Sequence, residues 1–177
     1  MMCNTSTIWR LENNRISQIR SQRDFRNNDV CDFVYEANGR LLESIDNGYY
    51  TDRSQFVWDG SRIAEVKTDE LETDELENGE LDPSSNVSMK MTYGGQVCQG
   101  YFPVFGELPE EGEEIFYAHP ELAGVRSNQL PGAIQTKSGF GLDFSSKLSY
   151  TYGNVGYVTG CTVDNLGEKT VYSFTWQ

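Results

Sequence analysis

Histidine occurs once in this chain of 177 residues, as His119. One imidazole cannot build a histidine zinc site. No Gly-x-Ser-x-Gly motif accompanies it, so a hydrolytic triad has no support and His119 reads as a structural or surface residue. Cysteine occurs four times, at Cys3, Cys31, Cys98 and Cys161, and never as C-x-x-C. That spacing supports neither zinc ligation nor thioredoxin-type chemistry. Basic residues are scarce: 14 Lys and Arg stand against 27 Asp and Glu, a net charge of −13. This argues against nucleic acid, whose phosphates need a basic surface, and against charge-driven binding to anionic lipid. No apolar run reaches the length of a transmembrane helix. Residues 1–10 hold no apolar run of signal-peptide length, and the apolar stretch that precedes a lipid-anchoring cysteine is missing before Cys3. Residues 1–12 are expected to be a poorly ordered segment, and residues 13–177 a single domain.

What the chain has is aromatics, at 12%, and 17 glycines. Val87, Met89, Met91 and Tyr93 alternate with polar residues. So do Leu148, Tyr150 and Tyr152, and Tyr172, Phe174 and Trp176. Period-two alternation means strands with one buried and one wet face. Phe140, Leu142 and Phe144 predict a further strand by the same pattern. Asn38-Gly39, Asn47-Gly48 and Asp59-Gly60 are tight-turn pairs that permit positive φ. Cys31 shares parity with Phe33 and Tyr35, and Cys161 with Tyr157 and Val163, as small buried hydrophobes would.

An internal repeat joins these signals. Phe33-Val34-Tyr35 is followed by Gly39, Arg40 and Leu41. Phe56-Val57-Trp58 is followed by Gly60, Arg62 and Ile63, and Tyr150-Thr151-Tyr152 by Gly156, Tyr157 and Val158. Phe174-Thr175-Trp176 is a final half-unit, and Tyr93-Gly94-Gly95 with Val97 a degenerate copy. The period is near 23 residues, which equals two strands and two turns. The predicted fold is mainly β, an antiparallel meander of repeated hairpins. A Pro-rich insert over 103–131 interrupts it, with one short helix opening at Pro120. This insert should cover one end of the sheet core.

The charge is localised. Residues 68–82 hold eight acids and no base, and residues 107–114 hold five more, so the other 154 residues are neutral. Leu71, Leu76 and Leu81 recur every five residues, which suits neither helix nor strand. The first tract is therefore expected to be a solvated loop, with a frayed extension of its flanking strands as the rival. Its acids Asp69, Glu70, Asp74, Glu75 and Glu77 are candidate oxygen ligands for loosely bound Ca²⁺. An EF-hand register fails, because Leu76 and Ser85 fall where ligands are needed. No other cofactor is implied. Gly139-Phe140-Gly141 lacks the third glycine and the helix of a dinucleotide site.

The units Tyr35-Glu36-Ala37-Asn38-Gly39-Arg40-Leu41 and Tyr152-Gly153-Asn154-Val155-Gly156-Tyr157-Val158 resemble tyrosine–aspartate (YD) repeats. The wider layout runs from Leu130-Pro131 and a strand to a Tyr-x-Tyr unit, Gly-Tyr, and a Thr-Val-Tyr-Ser-Phe-Thr-Trp ending. Over about residues 13–177 it is similar to a domain of unknown function found in Bacteroidetes envelope lipoproteins. The resemblance implies a β-meander, a place in the cell envelope and no established ligand or chemistry. The function expected is a non-catalytic binding or structural module whose partner is a glycan or an envelope protein. Tyr49, Tyr50, Tyr101 and Tyr117 belong to adjacent aromatic pairs and are candidate sugar-stacking residues; their rival role is to cover strand ends. Two alternatives stand beside this reading. One is a carboxylate-dependent carbohydrate hydrolase, needing two buried acids in one cleft. The other is an accessory protein whose acidic loops capture a basic partner.

Overall fold

The structure is a computed structural model that describes residues 6–23, 27–47, 51–71, 86–99, 120–124, 127–139, 141 and 143–175. Eleven strands follow one another as β1 (Ser6–Glu12), β2 (Arg15–Arg23), β3 (Asn27–Tyr35), β4 (Leu41–Asn47), β5 (Thr51–Asp59), β6 (Arg62–Leu71), β7 (Val87–Val97), β8 (Gln129–Ser138), β9 (Phe144–Tyr152), β10 (Val158–Asn165) and β11 (Glu168–Ser173). Each pairs antiparallel with its sequence neighbour, giving one open sheet in order β1 to β11. The mainly β meander expected from the alternation is the architecture found. No α-helix occurs among the described residues.

The repeat has a geometric meaning that spacing alone does not show. The five ladders whose hairpin turns lie at one end of the sheet carry the same one-residue bulge on their second strand, at Ser17, Leu42, Ala64, Gly132 and Thr159. A bulge bends its strand and raises the local twist, and here it recurs with the two-strand period. The residue just before each bulge is apolar and turned inward: Ile16, Leu41, Ile63, Pro131 and Val158 are all buried. Pro131 is tolerated inside β8 because it sits beside the bulge at Gly132. Tight turns close this end. Gly39 and Gly156 take positive φ in turns of the same form, with Gly39 N–H bonding Glu36 O and Gly156 N–H bonding Gly153 O.

The main core runs along the inner face: Ile16, Ile19, Cys31, Phe33, Leu41, Phe56, Ile63, Val66, Met89, Met91, Ile134, Leu148 and Cys161. A second, smaller cluster holds Cys98, Leu130 and Val158 under Tyr150 and Phe174. Cys31 and Cys161 are buried hydrophobes as their parity predicted. Pro120–Ala123 is a single 3₁₀ turn with proline first, in the insert expected to be helical there. It lies against β2, and Leu122 packs onto the main core, so this part of the insert does cover a core end.

Three expectations differ from what is found. Ser6–Glu12 is not a loose segment: it is β1, paired with β2 from Ser6↔Gln22 to Glu12↔Arg15. Asn13 and Asn14, both at positive φ, make the two-residue turn that joins them. The acidic tract is strand as far as Leu71, because Thr51, Asp52, Arg53 and Ser54 of β5 offer a ladder to pair with Leu71, Glu70, Asp69 and Thr68. The described residues of Phe140–Phe144 do not form a separate strand: β8 ends at Ser138, Gly141 N–H bonds Ser138 O with φ +76°, and β9 begins at Phe144, while Phe140 and Leu142 lie outside the described residues. The Gly-x-Gly alternation there mimics a strand pattern while supplying a turn.

Candidate functional site

The bulged end of the sheet gathers the functional candidates. Carrying each ladder on by its register places Arg15 opposite Tyr35, Arg40 opposite Trp58 and Arg62 opposite Tyr93. Each guanidinium lies over its ring, at 5.5, 5.7 and 4.6 Å from the centroid. These are cation–π distances. The arginine of one repeat therefore caps the aromatic of the next. Two of the aromatics also donate to the strand before them: Trp58 Nε1–H to Leu41 O at 2.8 Å and Tyr93 Oη–H to Ile63 O at 2.6 Å. Burial pushes the Tyr93 hydroxyl up to about 12, partly offset by the Arg62 charge. Tyr35 is raised by burial as well, with Arg15 acting the other way.

In the fourth unit the same register puts Leu130 opposite Tyr150. Leu130 is fully buried, and Tyr150 donates to Pro131 O at 2.8 Å, as Trp58 and Tyr93 do to their equivalents. Replacing the arginine by leucine is what creates the second apolar cluster. Sequence alignment of the repeats points to Tyr152 instead. Tyr152 pairs with Val158 and remains 42% exposed.

Beside the last arginine of the row lies an open depression of about 370 Å³, lined by Asp59, Gly60, Ser61, Arg62, Ser127, Asn128 and Gln129. Its floor is prearranged. Arg62 is stacked on Tyr93, ion-paired with Asp59 and hydrogen-bonded to Gln129 Oε1. Ser127 Oγ accepts from Gln129 N–H, and Asn128 Nδ2 donates to Cys98 O. Amide, hydroxyl, guanidinium and carboxylate groups in one shallow bowl can exchange hydrogen bonds with a hydroxyl-rich ligand. Asp59 is salt-bridged to Arg62, with its side chain 61% exposed.

The sequence candidates fall elsewhere. Tyr49, Tyr50, Tyr101, Tyr117, Asp74, Glu75, Glu77 and His119 lie outside the described residues. Asp69 and Glu70 sit in β6 at the far end of the sheet from the row. Asp69 pairs in register with Arg53 and acts electrostatically on it. Arg53 itself bonds Glu43 at 2.7 Å. Among the described residues no cluster of three His, Cys, Asp or Glu could hold a metal. Sequence reasoning placed Arg40 and Arg62 in the repeat and Asp59-Gly60 in a turn. It missed Arg15, Ser127, Asn128 and Gln129. Arg62 and Gln129 are 67 residues apart, and no local pattern joins them.

No family model matches the chain, and no curated protein matches it. Solved structures do. A porin-like protein from Bacteroides uniformis ATCC 8492 superposes with a TM-score of 0.60 at 15% identity, over 97% of this chain and 67% of that one. A porin-like protein from Bacteroides vulgatus ATCC 8482 gives 0.66 at 13% identity, over 96% of this chain and 78% of that one. The chain shares their fold.

Proposed function

We propose that this protein is a non-catalytic binding module of the bacterial cell envelope and that its partner is a glycan. The observation that carries the reading is the depression at Asp59–Arg62 and Ser127–Gln129, whose polar groups sit on turns fixed by the sheet. The fold likeness to porin-like Bacteroides proteins supports the envelope. The sheet's outer face carries ion pairs, Glu43–Arg53 and Glu65–Lys90. Such charges suit a module standing in water, since each would cost about 2–4 kcal/mol at the middle of a bilayer.

A thermal-shift screen against neutral and acidic glycans, with and without Ca²⁺, tests the reading. A native-state ligand raises the melting temperature by linkage. We expect a glycan-dependent rise that Asp59→Ala and Asn128→Ala abolish. Release of cleaved sugar would favour the hydrolase instead. A rise with Ca²⁺ alone would turn attention to the acidic tract.

A second reading, an envelope protein as partner, is favoured by the two edge strands. Ile8, Trp9 and Leu11 on β1 and Val171 and Tyr172 on β11 are exposed apolar residues on the two strands that end the sheet among the described residues. Strand addition to such an edge is a common mode of protein recognition.

A further inference from the structure

Arg15 and Arg40 differ from the chain's other stacked arginine. Arg62 has its acid, Asp59, and its amide, Gln129. Among the described residues Arg15 and Arg40 make no ion pair and no side-chain hydrogen bond, although acids outnumber bases in this chain by 27 to 14. Both are partly buried. Stacking occupies the face of a guanidinium and leaves its N–H edge free, held at a fixed orientation. Arg15 is fixed further. Its Nη2 lies against the Gly39 turn, where a Cβ would stand only 2.4 Å away. The Gly39 carbonyl and Arg40 Cα are in turn packed against Gly124 of the insert, at 2.5 and 2.7 Å from a Cβ built there. Two preoriented, partly desolvated donors with no side-chain acceptor among the described residues can take an acceptor from outside. An oxyanion offers only acceptors and takes paired N–H groups in parallel.

Their spacing is set by the fold. Arg15 and Arg40 hold equivalent places two strands apart, so about 9.5 Å separates them across the sheet end. Arg62 continues the row at the same step. We propose that this row binds a linear glycan carrying repeated carboxylate or sulfate groups, which runs across the strands with its anions on Arg15 and Arg40 and its hydroxyls in the depression beside Arg62. This rests on the glycan reading above and names the ligand class. Of the described acids near the row, Asp59 is paired with Arg62 and Glu36 is bonded by Asn38. The strand-borne acids of the first tract, Asp69 and Glu70, sit toward the far end of β6, about 25 Å away by strand rise. The Debye length in physiological salt is about 8 Å.

The test is calorimetric titration of the whole chain with oligogalacturonate, a sulfated glycosaminoglycan fragment and a neutral cello-oligosaccharide. The proteins are wild type, R15Q/R40Q, and R15K/R40K, each checked for its folded melting transition. One or both acidic probes should bind the wild type, more weakly as salt rises. R15Q/R40Q should lose roughly tenfold or more, and R15K/R40K should fall between, because lysine keeps the charge but loses the stacked fork. Which acidic probe binds identifies the oxyanion as carboxylate or sulfate. Acidic probes that bind no tighter than the neutral one, or bind R15Q/R40Q as well as wild type, overturn the row. If the neutral probe binds and Asn128→Ala abolishes that binding, the glycan reading survives the loss of the row. If nothing binds, both fall.

Discussion

Cys161 and the buried tyrosines tie stability to alkaline pH. Burial pushes the Cys161 thiol up to about 11 from its ordinary 9, and Tyr93 up to about 12 from 10. Tyr150 is raised by burial too, with smaller contributions from neighbouring Cys161 and Tyr152. An acid raised on folding keeps its proton in the native state after the unfolded chain has lost it. Its stabilisation is complete below the unfolded value and disappears as pH rises toward the folded one. Denaturant midpoints should therefore hold up to about pH 9 and fall between pH 9 and 12. Cys161→Val should flatten the first part of that fall, because the site already packs an apolar group and valine does not ionise. If the mutant and wild type decline in parallel, the thiol is not the group involved.

At the level of elements, the described part of the insert is held to the sheet by Leu122 and by one close approach at Gly124. Gly124 has φ +88° and is buried against the backbone of Gly39 and Arg40, which cannot swing aside as a side chain could. Gly141 has a similar φ, +76°, but open space around it. Gly141→Ala should cost only the strain of positive φ, about 1 kcal/mol. Gly124→Ala should cost clearly more and should expose the core under Leu122, detectable as faster hydrogen exchange at Ile16 and Leu41. Equal costs at the two sites would mean that the contact is not held in solution. The same elements show where sequence reading stops. Alternation at Val87–Tyr93 and turn pairs such as Asn38-Gly39 fix strands and hairpins locally, so the meander was legible. The period near 23 was legible for the same reason. The place of Arg40 and Arg62 was not, because each caps an aromatic in the following repeat, across the β4–β5 or β6–β7 ladder, whose register no local pattern gives. The alternation around Gly141 misled because glycines alternating with apolar residues satisfy period two, while Gly141 takes positive φ. The depression was illegible because Gln129 returns to Arg62 only after the whole insert.

For the whole molecule, an open meander has two ends, and both are weakly defended. β1 carries Ile8 and Trp9 at 65% and 51% exposure, and β11 carries Val171 and Tyr172 at 67% and 42%. Register places Trp9 and Tyr172 on the inner face, opposite Ile19 and Cys161, while Ile8 and Val171 face outward. A second copy laid with its β1 along the first copy's β11 would continue both faces, Trp9 beside Tyr172 and Ile8 beside Val171. That junction is a parallel pair, because β1 and β11 run in the same direction in an eleven-stranded antiparallel meander. On these strands Arg10 is paired with Glu12, and Lys169 with Asp164 of β10, so these charges do little to repel a neighbour. Such a contact is head-to-tail, so it leaves a free edge at each end of the assembly and does not close. Without a partner strand the chain should self-associate progressively with concentration, rather than stop at a dimer. Sedimentation velocity over a hundredfold concentration range would show it as a rising weight-average coefficient. Ile8→Lys with Val171→Lys sets like charges against each other at the junction and should return the chain to monomer, with little effect on folding because both sites face solvent. A wild type that stays monomeric throughout would mean that these edges do not recruit strands, and would weaken the protein-partner reading relative to the glycan one.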